Sequence, residues 1–169
     1  WADHRTLQEN GMTALKTVFF MLLVPGLLLG ALPVWFMATD TALFSFGFFR
    51  WLAVPFWLTG TGVMLWCAWD FTVKGRGTPA PIDPPKELVV SGLYCFVRNP
   101  MYDGALLVLL GHVFWFPSLS LILSPVILFT AFHLFVVFYE ERHLRKTFGA
   151  AYVEYCQSVP RWIPHFRRR

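Results

Sequence analysis

The chain has 169 residues, of which 56% are hydrophobic and 14% charged, and a formal net charge of +4. Soluble domains carry about 25% charged residues, so this composition, with a mean hydropathy of +0.53, excludes an ordinary water-exposed surface and points to a bilayer as solvent. The basic residues form no stripe interleaved with exposed aromatics, which excludes nucleic acid as a partner. Cys67, Cys95 and Cys156 share no metal-ligand spacing, so neither a metal site nor a disulfide framework is expected.

The length suits a single domain covering residues 1–169. The chain starts at Trp1 and is polar through residue 12. Residues 13–38 are nearly continuous apolar sequence and form the first expected transmembrane helix, long enough to cross roughly 30 Å of hydrocarbon. The run is too long for a signal-peptide core and ends in no small-residue cleavage site. Pro25 and Gly26 interrupt it and predict a kink. Residues 44–71 form the second expected span, with Arg50 near its start and Asp70 near its end, both within snorkelling reach of an interface. Gly60 and Gly62 lack the βαβ surroundings of a dinucleotide fingerprint and predict close helix packing instead.

Residues 73–98 are the one long polar connection. Pro79, Pro81, Pro84 and Pro85 force an extended path there, and a connection of this length points to an ordered functional loop. Residues 99–116 form the third expected span, which reaches full length only if its helix begins near Asn99 with Pro100 in the first turn. Pro117 and Ser118 turn the chain into an antiparallel fourth span, residues 119–141. Residues 142–169 are an amphipathic, charged tail, with a break at Gly149 and then a short interfacial helix. The fold class expected is therefore all-α and integral to a membrane, with about four spans and no Rossmann domain. Four spans put both termini and the 73–98 loop on one side. Every basic residue except Arg50 lies there, which predicts cytoplasmic termini. The compact form suggests a bacterial inner membrane, and no feature of the sequence sets an oligomeric state.

Polar residues gather at that side in "GLYCFVRNPMYDG", Gly92–Gly104, and in "EERHLRK", Glu140–Lys146. Two adjacent carboxylates, Glu140 and Glu141, point about 100° apart on a helix, so at least one faces protein and needs a partner. His133 precedes Glu140 by two turns, which reads either as a polar track leading inward or as a histidine bonded to a neighbouring helix. Arg98 reads as an interfacial anchor, as an ion-pair partner for either glutamate, or as a planar fork for a carboxylate or phosphate. Tyr94 and Tyr102 read as interface aromatics or as the wall of a cation-binding pocket. Asp103 reads as a cap of the third helix or a partner of the tail. Residues alone thus predict a polar cavity at the helix ends, open to lipid.

"LVVSGLYCFVRNPMYDG" followed by "EERHLRKTFGAAYVEY" resembles the integral-membrane methyltransferases, which include isoprenylcysteine carboxyl methyltransferases and phospholipid N-methyltransferases. The resemblance covers roughly residues 74–164; the first two helices match only in character. It implies S-adenosylmethionine bound without a Rossmann fold. It implies Leu88, Val89, Gly92, Tyr94, Asn99, Pro100, Tyr102 and Glu140 as cofactor-binding residues, with Asn99 in the place of the family's histidine. Arg98, Glu141 and His133 are the catalytic candidates: Arg98 to hold the cofactor carboxylate, Glu141 or His133 to accept a proton. Val136 stands where prenylcysteine-methylating members hold the acceptor with an arginine, and Arg161 is the candidate substitute for binding substrate. The partners implied are a lipophilic methyl acceptor and membrane lipid, with the acceptor a carboxylate or an amine such as that of a phospholipid. The alternatives are an NADPH-dependent enzyme like the sterol reductases and a non-catalytic membrane binding protein.

Overall fold

A computed structural model describes residues 15, 18, 19, 22–75 and 87–165. Among them every regular element is helical, as expected when a bilayer leaves no water to satisfy an open sheet edge. Three helical stretches are long and apolar enough to cross a membrane: Leu22–Thr39 (α1), Gly47–Val73, and Leu119–Ser158. Most of their large apolar side chains face outward, Trp35, Phe48, Trp69 and Ile127 among them, where lipid rather than water is the natural neighbour.

Gly47–Val73 begins as a 3₁₀ turn, Gly47–Leu52, and continues as α2, Ala53–Val73. Opposite it runs α3, Pro100–Trp115, with Pro100 in its first turn. This helix has 16 residues, about 24 Å of rise, less than the roughly 20 residues of an ordinary span. The four-span count expected from the sequence therefore rests on a short helix that lies along α2. Glycines allow this contact: a Cβ built at Gly60 would stand 2.6 Å from the Gly104 carbonyl oxygen, and one at Gly104 would stand 2.9 Å from the Gly60 oxygen. Ala53 meets Gly111 one contact further along, and Trp57 Nε1 donates to His112 Nδ1 at 3.3 Å. Small residues bring apolar helices close enough for dispersion to hold them where lipid removes the hydrophobic drive. Gly62 takes no part, since a Cβ there would meet nothing within 4 Å; of the two glycines expected to pack, only Gly60 does.

The two short turns at the far end are joined, with Leu43 N donating to Pro117 O at 2.9 Å and Ser120 N to Asp40 Oδ2 at 3.4 Å. Ser118 caps the next helix through Leu121 N.

Two π turns shape the membrane helices. One, Leu27–Ala31, lies in α1 between Pro25 and Pro33, where two missing N–H groups already loosen the ladder. The other, Val136–Glu140, follows α4, Leu119–Phe135, and passes without interruption into α5, Glu141–Ser158. Together they run 40 residues, about 60 Å if straight, well beyond the thickness of the hydrocarbon. The chain bends at Gly149, whose φ of 55° and ψ of −127° lie where only glycine is unstrained. Beyond the bend Tyr152, Tyr155 and Val159 are buried against Leu88, Leu144 and Phe148, so the end of α5 folds back over the loop that precedes α3. A strap of residues 159–165 follows and lies beside residues 96–99.

Candidate active site

The inner ends of α2, α3 and α4, the loop 87–99 and the turned-back end of α5 enclose a cavity of about 500 Å³. Its walls change character along its length. Leu88, Val89, Tyr94, Arg98, Asn99, Tyr102 and Glu140 line it from the loop and the inner helix ends, and Leu28, Leu29, Met64, Leu128, Phe132 and Phe135 line it from further along the helices. Both long glutamates of the boundary find the partners their position demands, on opposite sides. Glu140 Oε2 accepts from the Tyr102 hydroxyl at 2.9 Å, and the Tyr102 ring stacks on Phe132 with centroids 4.4 Å apart. Glu141, buried, accepts from Arg98 Nη1 at 3.1 Å and from Arg161 Nε and Nη2 at 2.7 and 3.2 Å.

The π turn explains the division. It adds one residue to the helical circuit and so displaces the following side chains by about 100° from the α-helical phase. His133 and Glu140 consequently do not share the stripe that seven α-helical residues would give them. His133 Nδ1 accepts from Trp162 Nε1 at 3.1 Å, and His133 is not on the cavity wall. Of the two readings the sequence left open for His133, a polar track leading inward or a histidine bonded to a neighbouring helix, the bond is nearer, with the C-terminal strap as its partner.

Tyr94 sits in the 3₁₀ turn Gly92–Cys95. Its ring meets Phe71 edge to face at 5.5 Å, and its carbonyl accepts from Tyr155 Oη at 2.7 Å. Burial, with the neighbouring Cys67 thiol adding to it, pushes the Tyr94 phenol well above its ordinary range. Gly92 stands behind this turn at φ 64°, where a Cβ would come within 2.5 Å of Asp70 Oδ2; only glycine accommodates both the conformation and the buried carboxylate. Asn99, the residue before α3, donates through Nδ2 to Arg161 O at 3.0 Å.

Of the residues singled out from sequence, Leu88, Val89, Tyr94, Arg98, Asn99, Tyr102 and Glu140 meet on one wall. Gly92, Pro100, His133, Glu141 and Arg161 do not reach it. Pro100 starts α3, and Glu141, Arg161 and His133 form a layer outside the wall. Asp103 lies in the first turn of α3, with its Oδ2 buried and without a hydrogen-bond partner among the described residues. The wall also includes Tyr139, His143, Tyr152 and Tyr155, which the sequence reading missed. Tyr152 and Tyr155 carried a usable signal, being three apart on an amphipathic helix and hence on one face. Trp162 carried none, because only the folded strap brings it to His133.

Two features describe what the cavity can hold. Arg98 lines it, and its Nε is buried with no acceptor among the described residues. A buried guanidinium N–H without an acceptor is costly and fits an anionic oxygen. Nearby, the Glu140 carboxylate and the faces of Tyr102 and Tyr94 fit a cation.

An all-helical membrane protein with one cavity end polar and the other apolar is the class these observations define. Residues 48–151 match the phospholipid methyltransferase family, more than half of the chain, and the chain belongs to that family. It is also 37% identical over 79 residues to protein-S-isoprenylcysteine O-methyltransferase B of Arabidopsis thaliana, a stretch covering 46% of this chain and 40% of that protein. The match thus spans about two fifths of the plant protein's length.

Proposed function

We propose that the protein transfers a methyl group from S-adenosylmethionine to a lipophilic acceptor resident in the membrane. The observation that carries this reading is the single cavity that joins Arg98, Tyr102 and Glu140 to Leu28, Met64 and Phe132. A water-soluble donor suits one end and an acyl or prenyl chain the other. Family membership, and a relative whose printed name is that of an isoprenylcysteine O-methyltransferase, support methyl transfer over NADPH chemistry.

The chain's residues fit the donor. Arg98, on the wall, would hold its carboxylate, and Glu140, set by Tyr102, would face its ammonium. Tyr94 and Tyr102 present ring faces that favour a sulfonium, and Leu88 and Val89 cover the site from the loop. Bound S-adenosylmethionine supplies a methyl carbon whose bond to sulfur breaks as the acceptor's lone pair attacks, leaving a neutral thioether. The protein's contribution is alignment of acceptor and donor, which carries a large part of the rate for such displacements. A phospholipid amine or an isoprenylcysteine-like carboxylate is the class of acceptor. Val136, 1% exposed, adds no cation at its position, which favours the amine. An amine must lose a proton, and water-facing His143 on the wall is placed nearer that task than Glu141, whose oxygens are taken by two arginines.

Of the basic residues in the described segments, Lys74, Arg98, Arg142, Arg145, Lys146 and Arg161 lie at or beyond the helix ends around the cavity's polar end, and Arg50 lies at the opposite end of the α2 stretch. With α3 as a short fourth span, this puts that end at the cytoplasmic face. The test is incubation of purified protein with methyl-labelled S-adenosylmethionine and total membrane lipid. Label in an extractable lipid is expected. Binding of NADPH with no labelled lipid would reject the reading.

A further inference from the structure

We propose that Arg161 is a positioning residue for the donor end of the cavity, acting through Glu141 on Arg98; the inference rests on the methyl-transfer reading above. The strap that carries Arg161 is laid along the segment entering α3. His165 N donates to Phe96 O at 3.0 Å, Arg98 N donates to Pro160 O at 2.9 Å, and Asn99 Nδ2 donates to Arg161 O at 3.0 Å. Trp162 fastens it from the other side through His133 and an edge contact with Phe129 at 5.1 Å. This backbone register delivers the Arg161 guanidinium to Glu141 as a two-pronged fork, with Nε to Oε1 at 2.7 Å and Nη2 to Oε2 at 3.2 Å. The pairing also raises the Arg161 guanidinium above its already high ordinary value.

The consequence falls on Arg98. Its Nη1 shares Glu141 Oε1 with Arg161 and also reaches Cys156 Sγ at 2.8 Å. One carboxylate therefore serves two guanidinium groups, and the three side chains together keep one positive charge. With both glutamate oxygens committed to Arg161, Glu141 cannot turn to take both prongs of Arg98. The Arg98 Nε is left buried and without an acceptor among the described residues, while the Arg98 side chain lines the cavity. The positive charge is thus carried by a side chain on the cavity wall, where it complements the carboxylate of an amino-acid-bearing donor. Without Arg161, Glu141 is free to close on Arg98 as a neutral pair and withdraw that site. Arg161 is not itself on the cavity wall, and its guanidinium is engaged by Glu141.

The experiment is a binding titration of the whole purified protein with S-adenosylhomocysteine, the donor's methyl-free product. Arg161→Met, Arg161→Lys, Glu141→Gln and Glu141→Gln/Arg161→Met are compared with the unsubstituted chain, and thermal unfolding is followed in the same detergent. Arg161→Met should weaken binding about tenfold or more and raise KM for S-adenosylmethionine while changing kcat less. Arg161→Lys keeps the charge without the fork and should fall between. It also keeps the question answerable if the methionine variant unfolds. The double variant should bind no worse than Glu141→Gln alone, because the two side chains act as one unit. If the unsubstituted chain binds no S-adenosylhomocysteine, the methyl-transfer reading falls and takes this inference with it. If it binds and the folded arginine variants bind equally well, the role of Arg161 alone is overturned.

Discussion

The Tyr102 hydroxyl donates to Glu140 Oε2 at 2.9 Å across the gap between α3 and the π turn that ends α4. It ties the two stretches that stood out in the sequence, 38 residues apart, at the polar end of one cavity. The ring that makes the bond is itself held flat on Phe132, so the carboxylate is oriented by a rigid partner rather than by a flexible one.

Removing that hydroxyl should therefore cost orientation more than fold. Tyr102→Phe is expected to weaken S-adenosylhomocysteine binding about tenfold, the size of one hydrogen bond to a charged group, roughly 1.5 kcal/mol. Glu140→Gln should lose more, since it removes the negative charge as well. Both are read by calorimetric titration, with circular dichroism showing retained helix. Equal affinity in all three proteins would separate Glu140 from donor binding.

The α2–α3 contact predicts an asymmetric pair of variants. Gly60→Ala forces a methyl into the Gly104 carbonyl, an overpacking that costs about 1–3 kcal/mol. Gly62→Ala, two residues away in open space, should be neutral or gain up to about 1 kcal/mol from helix propensity. Unfolding midpoints in mixed micelles measure the difference, and a Gly60→Ala midpoint at or above that of Gly62→Ala would contradict the packing.

Tyr94 predicts an alkaline limit. Its proton is held more tightly in the folded chain than in the unfolded one, where the ordinary value is 10.0. The stability it contributes is thus whole below that value and declines as the pH rises through the folded-state value. Melting temperature should fall as the pH rises above about 10 more steeply in the unsubstituted chain than in Tyr94→Phe. Parallel slopes would place the phenol in water.

Tyr155 should report on the fold-back of α5. Its hydroxyl donates to the Tyr94 carbonyl at 2.7 Å, so Tyr155→Phe leaves a buried carbonyl unpaired at a cost of about 1–3 kcal/mol. Proteolysis at the Gly149 bend measures it, and faster cleavage than in the unsubstituted chain is expected.

The all-helical membrane character was plain in the sequence because long apolar runs are a property of composition, which no tertiary detail can hide. The start of α3 at Pro100 and the bend at Gly149 were readable for a local reason: each rests on one residue's backbone limits. The pairing of Arg98 with Glu141 was one of two options a charge at a helix end left open. What could not be read depends on registers between distant segments. No local signal distinguishes Gly60 from Gly62; only the presence of Gly104 opposite does. The π turn at Val136–Glu140 is invisible in "VVFYE", and missing it put His133 and Glu140 on a common face. The sequence offers Arg161 as a substrate-binding charge, but the strap's pairing with residues 96–99 spends that charge on Glu141.

The surplus residue in the helix at Val136–Glu140 has a genetic consequence. Ordinary substitutions there alter a side chain and leave the winding alone. A one-residue deletion there would let the ladder revert to regular winding with Glu141, and all that follows it, still facing the same way, because the wide turn had absorbed the surplus residue. The protein should accordingly tolerate shortening at this place better than elsewhere in the same helix, where the loss of one residue swivels everything beyond it by about 100°.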